Sequence, residues 1–380
     1  MARLKLGMVG GGQGAFIGGV HRIASRMDDH YELVAGCLAS NPETAHASAK
    51  ELGIDAERSY DDFLSMAEKE SSRDDGIDVV AIVTPNYLHY PIAESFLSKG
   101  IHVICDKPLT HNLEDAENFH KVVSSSNALF ALTHNYTGYP MVRQAREMFR
   151  NGEIGELRII QVEYAQDWLT LPIEKDGQKQ ASWRTDPSKA GMGGSIGDIG
   201  SHAYNLADFI TGAKLEELCA DISSFVPGRK NDDNAHVLLR YANNAKGMLW
   251  SSQVAPGNEN ALRIRVYGEK GGLSWEQENP NYLTVDIFGK AKKIIRRAGN
   301  ESSDIGNRVT RIPPGHPEGY LEGFANIYAD FAKQISAFQN SQKPDEELLL
   351  VPTIDDGLKG VKFITSVVES GSNGGKWIKF

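Results

Sequence analysis

The apolar positions of the chain change their spacing about a third of the way along. Up to residue 133, runs that are apolar on successive positions (Leu4–Gly10, Tyr31–Ala39, Ile77–Thr84, Ile101–Lys107 and Asn127–Thr133) alternate with stretches whose apolar residues recur at helical spacing (41–53, 60–70, 90–100 and 113–126). A strand that is apolar on both faces is buried between two layers, and strands that alternate with amphipathic helices join as a parallel sheet through crossovers. Residues 1–133 are therefore expected to form a doubly wound α/β domain.

Beyond about Asn135 the pattern differs. One helix (141–152) precedes strand-like runs at 156–169, 235–242, 246–254, 261–268 and 283–289, several of which alternate polar and apolar residues. Alternation marks a strand with one wet face. Residues 134–380 are expected to form an α+β domain with a large, mainly antiparallel sheet, open on one face and covered on the other by helices such as 196–212 and 318–339. The C-terminal helices can pack back on the first domain.

Composition narrows the function. With 380 residues the chain can bury two cores, and its formal net charge of -10 with no basic cluster longer than "KAKKIIRR" (290–297) speaks against nucleic acid as a partner. That basic run reads as a solvated edge strand. Cys37, Cys105 and Cys219 are too scattered for a thiolate metal site and too few for a disulfide framework, so no metal is expected and the thiols should be reduced. No apolar stretch reaches the length of a membrane span, and a strand that starts within a few residues of Met1 leaves no room for a signal peptide. A cytoplasmic protein is expected.

The strongest local signal follows the first strand, where "GMVGGGQGAF" discards side chains in a cluster. Gly10, Gly12 and Ala15 fill the G-x-G-x-x-G/A pattern of a dinucleotide-binding turn, with Gln13 inside it. The first glycine makes the turn, the second admits a pyrophosphate to the backbone, and the small third residue lets helix pack on strand. The phosphates would then meet free N–H groups at a helix start. The second strand ends in Ala39, Ser40 and Asn41, with neither a carboxylate for a ribose hydroxyl nor an arginine for a 2′-phosphate. NAD and NADP both stay open.

Three further motifs, "TPNYLH" (84–89), "CDKPLT" (105–110) and "GGSIGDIGSHAYNL" (193–206), follow the glycine turn in order. Together with it they resemble the glucose-fructose oxidoreductase / inositol dehydrogenase / rhizopine catabolism family over nearly the whole chain. That resemblance implies a nicotinamide-dependent dehydrogenase with a Rossmann domain. It gives Thr84, Pro85, Asn86 and His89 places beside the nicotinamide ribose, although a Pro-Asn turn capping a helix would look the same. The family's Glu-Lys-Pro appears as Asp106-Lys107-Pro108, with a carboxylate one methylene shorter.

Lys107, at the carboxyl edge of the sheet, would hold the reacting hydroxyl. Asp198 and His202, four apart on a helix, would bind substrate and move its proton, His202 as general base because an imidazole titrates near neutrality. Small residues around them (Gly194, Ser195, Gly197, Gly200 and Ser201) are expected to leave room for a ligand. Asn135, Tyr136, Trp183 and Arg184 fall where the family contacts substrate, and Gln166, Asp167 and Trp168 could line the same pocket. Such polar and aromatic side chains suit a polyhydroxylated ligand. An NAD-using glycosidase that oxidises its sugar transiently, or a non-catalytic dinucleotide sensor, remains as an alternative; the absence of a Cys or His cluster at ligand spacing disfavours a zinc dehydrogenase. The sheet of the second half is expected to have an open face, and the resemblance implies that another subunit covers it, in a homodimer or homotetramer.

Overall fold

A computed structural model describes residues Arg3–Phe380. The first stretch contains β1 (Leu4–Gly10), α1 (Phe16–Met27), β2 (Tyr31–Cys37), α2 (Pro42–Glu51), α3 (Phe63–Ser71), β3 (Val79–Val83), α4 (His89–Leu97), β4 (His102–Cys105), α5 (Leu113–Ser125) and β5 (Phe130–Leu132). There follow α6 (Pro140–Arg150), β6 (Leu157–Ala165), α7 (Lys179–Arg184), α8 (Pro187–Ala190), α9 (Ser201–Thr211), β7 (Leu215–Ser223), β8 (Asn234–Tyr241), β9 (Lys246–Ser252) and β10 (Ala261–Gly268). The chain ends with β11 (Gly271–Glu276), β12 (Tyr282–Ile287), β13 (Lys293–Arg296), α10 (Asp304–Asn307), α11 (Tyr320–Gln339), α12 (Ile354–Ser372) and β14 (Ile378–Lys379).

One compact unit comprises Met1–Gly138 and Tyr320–Leu358. Its five strands are all parallel, in the order β2-β1-β3-β4-β5. The order reverses between β1 and β3, and in open α/β sheets ligands bind beyond the carboxyl ends of the strands at such a point. The turns leaving β1, β3, β4 and β5 carry Gly10 to Gly12, Thr84 to Asn86, Asp106 with Lys107, and Asn135, so one edge of the sheet presents all of these candidates. Leu6, Met8, Val79, Ala81 and Ile104 pack in one core with Phe324, Tyr328, Phe331 and Ile335 of α11. The spacing of those four puts them on one helix face. Cutting either phenylalanine to alanine should cost about 3–5 kcal/mol.

The other unit comprises Tyr139–Gly319 and Lys359–Phe380. Nine strands lie in the order β13-β12-β11-β10-β6-β9-β8-β7-β14, every neighbouring pair antiparallel except β6 with β9. The register pairs Ile160 with Val266 and Val162 with Ile264, all buried, while Ile159 faces Tyr267 and Glu163 faces Arg263 on the outer side. Helices α6 and α9 pack on the inner face. The basic run at 290–297 supplies β13, an edge strand. Strand β7 escapes the alternation test because a register shift between Leu215 and Glu217 interrupts its period.

Candidate functional site

The first unit builds a bare-backbone turn over an open helix end. Gly10 and Gly11 leave β1 with φ of 81° and 74°, a region that L side chains rarely adopt. A Cβ on Gly10 would stand 2.7 Å from the Val83 carbonyl oxygen. Ala15, the N-cap of α1, offers no side-chain acceptor, and no acid occupies the helix's first turn, so its N–H groups and positive dipole end are left for an anion. Thr84 Oγ1, buried beside Gly10, has no hydrogen-bond partner. These features fit a dinucleotide's phosphates and ribose.

Two assignments within the turn change. A Cβ on Gly12 would lie 2.7 Å from both the Leu38 carbonyl oxygen and Ser48 Oγ, so protein packing alone demands glycine there. The close approach of helix to turn falls on Gly18, whose Cβ would meet the Gly11 carbonyl oxygen at 2.3 Å, rather than on half-exposed Ala15. Gln13 spends its side-chain amide on Glu51, 2.9 Å away, and its backbone N–H on Ser48 Oγ. Ser40 is exposed, and Asn41 caps α2 through Thr44 N.

The next turns bring side chains to the same edge. Pro85 precedes a single helical turn begun by buried Asn86. His89 is fully buried with Nδ1 2.9 Å from the Pro108 carbonyl oxygen and Nε2 2.9 Å from that of Thr84; burial lowers its pKa, a neutral ring donates to one of the two, and the ring lies between backbone turns rather than against a ribose. Burial would raise the Asp106 carboxyl, but His21, the Lys107 ammonium and His89 outweigh that and hold it at about 2. Thr133 Oγ1 donates to Asp106 Oδ1 at 2.9 Å. Beside them, His134 is pushed down to about 3 by burial and by the Lys107 charge, so it is neutral at physiological pH. Asn135 and Tyr136 are both buried, and neither polar atom of the Asn135 amide finds a partner.

The second unit assembles the other candidates around a π-helical turn, Ile196–Gly200, that runs into α9. Asp198 lies in that turn and His202 in the first turn of α9, so wider π geometry replaces the α-helical turn expected between them. Buried Asp232 fixes the turn: its carboxylate accepts from Gly194 N at 2.7 Å and Ile196 N at 2.9 Å. The small residues do less for a ligand than expected. A Cβ on Gly194 would lie 2.0 Å from the Asp232 carbonyl oxygen and one on Gly200 2.5 Å from Ile196 Cδ1; among these glycines only Gly197 faces open space. Ser195 bonds to Ser251 and Ser201 to the Gly197 carbonyl.

Polar side chains from the sheet and α7 converge here. Gln253 Nε2 donates to Asp198 Oδ2 at 2.9 Å, and Arg184 Nε lies 3.3 Å from the same oxygen. The Arg184 guanidinium stacks over Trp183, 4.3 Å from its ring centre. The His202 ring is 6.2 Å from that of Tyr164, whose hydroxyl bonds Asn260 Oδ1 at 2.7 Å. Gln166 Nε2 donates to the same oxygen, and Trp168 Nε1 donates to Gln166 Oε1. Asp167 instead accepts from Gly257 N. Gln253, Asn260 and Asp232 were missed by sequence reasoning, since each sits in a strand or loop with no motif around it, whereas Tyr164 opens the stretch that carries Gln166, Asp167 and Trp168. Among the described residues no group of three or more His, Cys, Asp or Glu could hold a metal ion, no helix is long and apolar enough to cross a membrane, and Cys37, Cys105 and Cys219 are free thiols.

Comparison with known proteins follows the same division. Residues 4–134 match a family described as an oxidoreductase family with an NAD-binding Rossmann fold, and residues 142–274 match the GFO/IDH/MocA C-terminal domain. The crystal structure of an oxidoreductase from Sinorhizobium meliloti is 56% identical and covers 100% of both chains with a TM-score of 0.91. An inositol dehydrogenase homolog from Azotobacter vinelandii, crystallised with NADH and myo-inositol, is 33% identical, with a TM-score of 0.92 over 100% of this chain and 98% of its own. An uncharacterized oxidoreductase of Bacillus subtilis is 34% identical over 99% of this chain and 97% of its own.

Proposed function

This chain belongs to the GFO/IDH/MocA family of oxidoreductases, and from that premise we propose that it moves hydride between NAD or NADP and a secondary alcohol of a sugar, a sugar derivative or an inositol. The observation that carries the reading is the uncapped start of α1 over the Gly10 to Gly12 turn, on the same sheet edge as Lys107. That edge offers a phosphate cradle and a hydrogen-bond donor for a reacting oxygen. The second unit, by itself, gathers Asp198, Gln253, Arg184, Gln166 and Asn260, with Trp168 and Trp183 as flat apolar surfaces. A polyol needs a partner for each hydroxyl and a cover for its C–H face, and this set supplies both.

Lys107 holds the reacting hydroxyl by donating to its oxygen, and Asp198 orients the substrate. His202 takes the hydroxyl proton as the alcohol is oxidised and returns it in reduction. Bound nicotinamide supplies the acceptor or donor of hydride; the protein supplies orientation and charge placement. The test is a screen of sugars, sugar lactones and inositols with NAD and with NADP, following absorbance of the reduced nicotinamide. At least one polyol should generate it, and a panel that yields none contradicts the reading.

The outer face of the nine-stranded sheet supports a homodimer or homotetramer. Ile159, Leu238, Met248 and Tyr267 are 45%, 51%, 52% and 39% exposed there, with Leu238 paired to Met248 and Ile159 to Tyr267. An apolar patch of this kind is ordinarily covered by a second subunit. Three free thiols suit a reducing, cytoplasmic setting. Sedimentation should give a dimer or tetramer, and Leu238→Glu should shift it toward monomer; an unchanged monomeric wild type would refute this.

A further inference from the structure

Behind Lys107 the first unit buries two side chains that the proposed reaction leaves without a task. His21 of α1 is 0% exposed. Its Nδ1 lies 2.8 Å from the Tyr328 hydroxyl of α11, and its Nε2 lies 3.6 Å from Asp106 Oδ1. The edges of Phe324 and Tyr328, with ring centres 5.1 Å and 5.8 Å away, fix its plane. At 3.6 Å the contact to Asp106 is electrostatic rather than a full hydrogen bond, and Nε2 has no other partner. A buried N–H left so costs about 1–3 kcal/mol, a cost that packing alone does not explain. The imidazole is kept for its polarity.

Its proton can be placed. Burial and the charge of Asp106 push the Tyr328 hydroxyl up, so it stays protonated and is able to donate to Nδ1; the carboxylate on the far side of the ring selects that direction. A neutral imidazole that accepts at Nδ1 carries its proton on Nε2, aimed at the carboxylate. The other tautomer would aim a lone pair at an anion. Thr133 bonds the same oxygen, Oδ1, at 2.9 Å. These two contacts hold one oxygen of the carboxylate, and the Lys107 ammonium acts on the same carboxyl through its charge, which helps to hold it low.

We propose that Tyr328, His21 and Asp106 form a buried positioning relay that sets the direction of the Lys107 ammonium. His21 and Tyr328 touch neither substrate nor cofactor in this arrangement; they act through Asp106. The relay also ties α1, whose start receives the phosphates, to the lysine that holds the alcohol. It rests on the catalytic role proposed for Lys107.

The test uses the full chain carrying His21→Leu, His21→Gln or Tyr328→Phe. His21→Leu should fold, with an unfolding midpoint below that of the wild type because it strands the buried Tyr328 hydroxyl. It should turn over polyol about 10–100-fold more slowly, the loss typical when a group that orients a reacting residue is removed. KM and NADH affinity, the latter by fluorescence titration, should not move. His21→Gln, which returns an N–H donor near the Nε2 position, should recover most of the rate, and Tyr328→Phe should lose part of it. An unchanged kcat in His21→Leu, or a kcat loss matched by lost NADH affinity, overturns the relay. Nitrogen-15 spectra of the histidine rings should show the His21 proton on Nε2, and a proton on Nδ1 overturns the relay as well. That readout needs no turnover, so a chain that oxidises no polyol contradicts the proposed function while the ring still tests the relay.

Discussion

Lys107 concentrates the chemistry at the residue scale, because its neighbours are arranged around charge rather than packing. Asp106 beside it is held ionised at about 2 and His134 neutral at about 3, so neither changes charge in the range where enzymes work. Lys107→Ala should lower kcat by roughly two to four orders of magnitude, as loss of a hydrogen-bonding or proton-handling group does, with NADH affinity little changed. Unchanged turnover would remove the lysine from the reaction. Asp198→Asn keeps the bond from Gln253 with a flipped amide but loses the charge that faces Arg184, so KM for the polyol should rise more than kcat falls; the reverse split would assign Asp198 to proton handling. Lys107, Asp198 and His202 could be picked out as candidates because each sits in a compact string of unusual residues. His21 could not. It looks like any helix histidine until Tyr328, 307 positions later, is brought against it. Gln253 and Asn260 are hidden for the same reason, and His89 shows the converse, a motif residue whose ring lies buried between two backbone carbonyls.

At the scale of elements, the glycine turn and the helix it feeds behave as one piece. Gly18→Ala would drive a methyl to 2.3 Å from the Gly11 carbonyl oxygen and 2.4 Å from Gly11 Cα, forcing α1 off the turn. Dinucleotide affinity and the unfolding midpoint should fall together. Gly14→Ala meets nothing within 4 Å and only forces an alanine to a φ of 75°, at a cost of about 1–2 kcal/mol. Titration of both variants with NADH checks the contrast, and equal losses would contradict it. The parallel strands were legible because burial on both faces leaves unbroken apolar runs. Strands β7 and β11 were not, one interrupted by a register shift and the other opening on two glycines. Helix α12 was hidden by glycines that lower its propensity, yet Gly357 and Gly371 are where it closes on Leu109 and on Ile222. The spacing of Asp198 and His202 was readable, but not the π turn that sets it, since its cause is Asp232 reaching in from a distant loop.

For the whole molecule, buried histidines set the response to acid. Burial and the Lys107 charge lower His134 to about 3, and burial lowers His102 to about 4. In the unfolded chain both titrate near 6.5, so the unfolded state binds the extra protons between those values. The stability they contribute is complete above pH ~6.5 and is lost as pH falls toward the folded values, by about 1.4 kcal/mol per pH unit for each histidine. Asp106 acts lower still, with its share present above ~3.9 and lost only as pH approaches 2. Urea unfolding should therefore show a steady loss of stability from about pH 6.5 to about pH 5, and a flat profile would contradict this. The central claim concerns hydride, and isotope transfer reads it directly. A polyol that turns over, deuterated at its carbinol carbon, should react more slowly than its protiated form and place deuterium on C4 of the reduced nicotinamide. Deuterium released to water, or kept on the sugar while no reduced nicotinamide forms, would contradict the account.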